Sequence, residues 1–118
     1  MLNVLFVCSR NQWRSPTAEK LWRRQPGIRV RSAGTSPRAR RPLRHEDLAW
    51  ADVVLCMEDK HADRIRAAHG RWASQVPIEV LGVEDLYRFM DPELISVLEF
   101  VVPPVLAAHR RDLGVVEP

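Results

Sequence analysis

The chain has 118 residues, of which 46% are hydrophobic and 28% charged, with a formal net charge of +3. That balance predicts one soluble globular domain over residues 1–118 and excludes a low-complexity or fibrous chain. No apolar run approaches the roughly 20 residues of a membrane span, and the two cysteines are too few for a disulfide framework, so no membrane partner and a cytoplasmic location are expected.

Leu2–Val7 reads as a buried first strand, with no basic leader that would make it a signal peptide. A tight loop follows, and Ser15–Gln25 reads as a helix with Ala18, Leu21 and Trp22 on one face. Pro26-Gly27 stops that helix, and Ile28–Ser32 alternates as a second strand. Gly34 to Pro42 is a loop rich in Pro, Ser and Arg, and Arg44–Ala49 is a short helix. Asp52–Met57 is a third strand, and Asp59–Ala68 is a helix closed by Gly70. Pro77–Leu81 is a fourth strand, and the irregular stretch Glu84–Met90 delivers Asp91. A final helix begins with Pro92-Glu93 and turns Leu94, Ile95, Leu98 and Val102 to the core. Pro103-Pro104 is expected to break it into two pieces. Strands alternating with helices predict an α/β domain built from parallel β-α-β units.

The chemistry concentrates in Cys8-Ser9-Arg10-Asn11-Gln12-Trp13-Arg14-Ser15. This loop joins the first strand to a helix that carries Pro16 in its first turn. Free amides and the helix dipole make such a turn an anion site. A thiol placed there ionises more readily than in water. Arg14 adds a planar fork that can grip two phosphate oxygens. Thiolate, amide cradle and fork are what phosphoryl transfer to sulfur requires.

Those residues, with Pro16-Thr17-Ala18-Glu19, resemble the active-site signature of the low-molecular-weight protein tyrosine phosphatases. Three further segments resemble the family in the same order: Ser32-Ala33-Gly34-Thr35, Ala51–Glu58 and Asp91-Pro92. The stretch between Thr35 and Asp52 is shorter than is usual there. Trp13 stands where many members carry a second cysteine, and Glu93-Leu94 stand where tyrosines commonly follow the Asp-Pro. The resemblance implies a three-layer sandwich around a four-stranded, parallel, flavodoxin-like sheet. Cys8 would lie at the carboxyl end of its first strand, where ligands sit in open α/β sheets.

The same resemblance implies the roles. Cys8 is the nucleophile and Arg14 the phosphate ligand. The Ser9, Arg10, Asn11, Gln12, Trp13 and Arg14 segment cradles the phosphoryl oxygens. Ser15 either caps the helix or donates to the Cys8 sulfur, and the resemblance favours the second role. Asn11 reads as a brace in the left-handed region, which asparagine tolerates. Asp91 is the implied general acid, with Glu84 and Asp85 as fallbacks and a helix cap as its alternative role. Trp13 either walls the substrate cleft or packs outside the loop. Cys56 reads as an inert strand residue.

His45, His61, His69 and His109 lack metal-ligand spacing and are expected at the surface, so neither a metal nor another cofactor is implied. Six of the 16 arginines fall between Arg29 and Arg44, forming either a basic rim for an anionic substrate or a solvated loop. No nucleic-acid motif accompanies them. The sum is a cysteine-dependent phosphomonoester hydrolase acting on a phosphorylated protein or a small ester, as a monomer or weak dimer. Two rivals are a phosphate-ester binding module without turnover and an arsenate reductase. The latter needs relay cysteines that only Cys56 could supply.

Overall fold

The computed structural model describes residues 1–112; residues 113–118, which the single-domain reading includes, lie outside it. Eight elements follow one another: β1 (Leu2–Cys8), α1 (Arg14–Trp22), β2 (Ile28–Gly34), α2 (His45–Trp50), β3 (Val53–Cys56), α3 (Asp59–Ala73), β4 (Ile78–Val80) and α4 (Pro92–Asp112). The strands form one parallel sheet in the order β2-β1-β3-β4. This is the flavodoxin-like arrangement, with β1 and β3 central and therefore nearly continuous in apolar residues.

Side-chain alternation along the strands divides the core into two halves. Val4, Phe6 and Cys8 of β1 and Leu55 of β3 face α1 and α4, whose Ala18, Trp22, Leu94 and Leu98 complete that side. Leu5, Val7, Val54 and Cys56 face α2 and α3 and meet Leu48, Ala62 and Ile65. The two cysteines therefore project from opposite faces of the sheet, although Val7 and Cys56 are direct partners across it. Burial pushes the Cys56 thiol up to about 12, as suits an inert core residue.

Two expectations about helices are corrected. α3 does not stop before Gly70. It kinks at His69 (φ −133°, ψ 32°) and then adds another turn. That turn buries Ala73 and stacks Trp72 on His45 at 3.8 Å, which accounts for its persistence. α4 is one helix rather than two, with Pro103 and Pro104 inside it. Both prolines face outward, while the stripe Leu94, Leu98, Val102 and Leu106 stays buried from end to end. Continuous burial of that stripe carries the helix across the amide donors that the prolines lack. By length and composition alone α4 could cross a membrane, contrary to the sequence expectation; here its apolar stripe closes the core.

Candidate active site

The cavity lies at the carboxyl end of β1 and β3. It has a volume of about 510 Å³ and is lined by Cys8, Ser9, Arg10, Gln12, Trp13 and Arg14 of the loop, with Ser36, Lys60, Arg64 and Asp85 around them. Six of the eight positions from Cys8 to Ser15 thus reach it. Asn11 and Ser15 do not, because they are buried beneath the loop. Their side chains support the loop from beneath rather than line the cavity.

That support is a chain of hydrogen bonds. Asn11, at φ 55°, donates from Nδ2 to Ser15 Oγ and to Ser32 Oγ, each at 2.9 Å. Ser32 in turn donates to Glu19 at 2.8 Å. Ser15 Oγ, which accepts from Asn11, also lies 2.9 Å from Cys8 Sγ and can donate its proton there when the sulfur is a thiolate. Trp13 rather than Ser15 occupies the position before α1.

The loop carbonyls are turned away from the cavity. Those of Cys8, Ser9 and Arg10 accept from the amides of Thr35, Ser36 and Arg40, all at 3.0 Å. Arg40 Nε donates to the Asn11 carbonyl, also at 3.0 Å. Each peptide amide points opposite to its carbonyl, so the amides from Ser9 to Gln12 face the cavity. The basic segment is therefore partly a clamp on the loop, a role not visible in its composition. Close approach at Gly34 completes the clamp: a Cβ there would lie 2.6 Å from the Ser9 carbonyl oxygen.

Arg14 is almost fully buried, and its Nη1 donates to Glu58 at 2.5 Å and to the Val83 carbonyl at 2.8 Å. The Nε and Nη2 protons are the ones that remain for a phosphoryl group. The guanidinium bond holds the Glu58 carboxyl below the usual range. His61 accepts from the Glu58 amide at Nδ1, so Nε2 carries the proton and donates to Ser9 Oγ at 2.9 Å. Burial, then the nearby Arg14 charge, lower His61 from 6.5 to about 4. His61 and His109 are both buried rather than at the surface, as had been expected of them.

Asp91 is placed differently from the sequence expectation. Its carboxylate accepts from the Glu93 amide at 2.9 Å, its carbonyl accepts from Ile95, and it does not line the cavity. An aspartate before Pro-Glu at a helix start is a strong cap, and that role has taken it. Asp85 lines the cavity instead, with Oδ1 3.6 Å from Arg14 Nε. Its side chain is 54% exposed, so it stands at the mouth. Sequence reasoning missed Glu58, His61, Lys60 and Arg64. The position of the first of these, directly after a central parallel strand, was the available signal.

No protein-family profile matches the chain. The low-molecular-weight protein-tyrosine-phosphatase Etp of Escherichia coli K12 is 31% identical over 104 residues, which cover 87% of this chain and 64% of that protein. The chain thus spans less than two thirds of its curated relative. The solution structure of a low-molecular-weight protein tyrosine phosphatase from Bacillus subtilis superposes with a TM-score of 0.62 at 25% identity, over 94% of this chain and 98% of that one. The YwlE arginine phosphatase from Geobacillus stearothermophilus shares the fold at a TM-score of 0.68 and 23% identity, with 95% and 97% covered.

Proposed function

We propose that this chain, which is similar to the low-molecular-weight protein-tyrosine-phosphatase Etp, is a cysteine-dependent phosphomonoester hydrolase of that family acting on phosphorylated protein. The observation that carries this reading is the Cys8 sulfur held against Ser15 beside inward amides and the Arg14 fork. Cys8 Sγ attacks phosphorus as the phosphorus–oxygen bond to the leaving group breaks. Asp85 gives its proton to that departing oxygen. Arg14 and the loop amides take up the charge on the equatorial oxygens. Water then attacks the phosphocysteine, Asp85 takes the water's proton, and sulfur leaves as a thiolate stabilised by the Ser15 hydroxyl.

The ester is an oxygen ester, and tyrosine phosphate is the substrate that Etp's name suggests. A phosphorylated guanidinium, as YwlE's description suggests, is disfavoured here. Its positive charge would meet Arg10, Lys60 and Arg64 at the mouth. A reactive thiol of this kind suits a reducing compartment such as the cytoplasm.

Hydrolysis of p-nitrophenyl phosphate tests the reading directly. Cys8→Ser is expected to abolish turnover, since a serine hydroxyl here has no base to activate it. Acid quenching of the wild type with labelled ester is expected to trap phosphate on cysteine. Turnover persisting in Cys8→Ser overturns the assignment.

A further inference from the structure

Beyond the residues that the chemistry uses, the cavity carries an excess of positive charge with no partner in the reaction. Lys60 and Arg64 lie four residues apart on α3, hence on one face of the helix, and both line the cavity. Both are solvent-exposed. Lys60 Nζ is 3.8 Å from Glu58 Oε1, but that oxygen is already bound to Arg14 at 2.5 Å. Among the described residues Arg64 has no ion pair within reach, and Arg10 adds a third exposed cation at the rim. Asp85 is the one carboxylate on the cavity wall.

A bound phosphoryl group does not use these cations. Its oxygens are served deeper in the cavity by Arg14 and the loop amides. We infer that Lys60 and Arg64 form a second anion subsite, and that the preferred substrate carries an acidic group, carboxylate or phosphate, beside its phosphorylated residue. This rests on the phosphatase reading and narrows it to acidic or multiply phosphorylated segments. Long-range attraction of the first phosphate is the competing explanation, but that would speed all phosphopeptides alike.

Tyrosine-phosphorylated peptides with glutamate, alanine, lysine or phosphoserine flanking the phosphotyrosine on both sides separate these ideas. The wild-type kcat/KM is expected to rank glutamate above alanine above lysine. The glutamate-to-alanine ratio should be about three- to tenfold, the scale of two exposed ion pairs. That ratio should shrink at high salt, because screening lengths fall below the span of a side chain. If phosphoserine flanks exceed glutamate flanks, the second anion is a phosphate; if the two are equal, a carboxylate suffices.

Lys60→Glu with Arg64→Glu is expected to invert the ranking so that lysine flanks win, a change that misfolding cannot mimic. Equal kcat/KM for all four peptides overturns the subsite, as does a glutamate preference that survives the charge reversal. Affinities of the same peptides for the Cys8→Ser protein keep the two proposals apart. Ranked binding without wild-type turnover sustains the subsite and sinks the phosphatase reading. Turnover with no ranking sinks the subsite alone.

Discussion

The loop that carries Cys8 and Arg14 and the segment that carries the proposed acid, residues 8–15 and 82–91, are built to opposite standards. In the first, the carbonyls of Cys8, Ser9, Arg10 and Asn11 and the side chains beneath them are tied down from behind. Asn11, Ser15 and Ser32 form one buried chain that ends on the half-buried Glu19, and His61 and Glu58 anchor the other side. In the second, Leu86 is 70% exposed and Phe89 46%. That segment is fastened at its ends, where the Val83 amide donates to Met57 and the Met90 amide to Thr17 Oγ1. Charge stabilisation works only if donors are already in place when the charge develops, so rigidity belongs to the phosphate loop. A proton donor must sit beside a leaving group that enters and departs, so looseness at the acid loop is compatible with its task.

The comparison predicts that changes in the acid loop cost activity with little stability, whereas changes under the phosphate loop cost both. Asp85→Asn is expected to produce the largest effect, lowering turnover of poor leaving groups by about 10²–10⁴-fold. Activated aryl phosphates should suffer far less, and the fall in rate on the basic side of the pH profile should vanish. A flat leaving-group response would remove Asp85 from the reaction and return attention to Asp91.

Gly34→Ala comes next. A methyl there would lie 2.6 Å from the Ser9 carbonyl oxygen and 2.4 Å from Ala39 Cβ, so backbone must shift under the loop. Loss of turnover together with a lowered Tm is expected; a Tm fall without kinetic change would show the loop to be less coupled than described. Asn11→Ala leaves two buried hydroxyls short of a donor and should cost about 1–3 kcal/mol in denaturant unfolding, with kcat reduced. Equal stability of Asn11→Ala and wild type would break the comparison outright.

Two smaller effects sharpen it. His61 binds a proton at about 4 in the fold against 6.5 ordinarily, so the unfolded chain takes up protons first as pH falls. Stability is therefore lost between roughly those two values. His61→Gln should flatten a Tm-against-pH curve in that window. Glu58, held low by the Arg14 hydrogen bond, adds stability that is present above its ordinary value of 4.5 and is lost as pH falls below that. Asp91→Ala should cost about 1 kcal/mol of stability through its lost cap, with the leaving-group dependence of the rate unmoved.

The strand, loop and helix around Cys8 were legible because the apolar run, the Cys-to-Arg spacing and Pro16 all point one way. The sheet followed from the same alternation of elements. What supports the loop was not legible. Ser32, Glu58 and His61 are distant in sequence, and only the register of β2 and β3 against β1 brings them under it. The cap at Asp91 was legible as one of its two readings, since Asp before Pro-Glu satisfies a cap as well as it does an active-site pattern, whereas the place of Asp85 on the cavity wall was not. The proline pair in α4 misled in the same way: local preference argued for a break, and a buried stripe overrode it.

One consequence of the sheet's two faces concerns oxidants. Peroxide converts a reactive thiolate to sulfenic acid, and a neighbouring thiol normally rescues it as a disulfide. Cys8 has no such neighbour: its only fellow cysteine points into the opposite half of the core, and Trp13 fills the loop position beside Arg14. A first oxidation can be reversed only by thiols from outside, and a second, to the sulfinic acid, not at all. Mass spectrometry after mild peroxide should show sulfinic and sulfonic Cys8 without an internal disulfide. Each molecule that oxidative stress carries to the sulfinic acid would then stay silent for the rest of its life, so that recovery of that fraction waits on new synthesis.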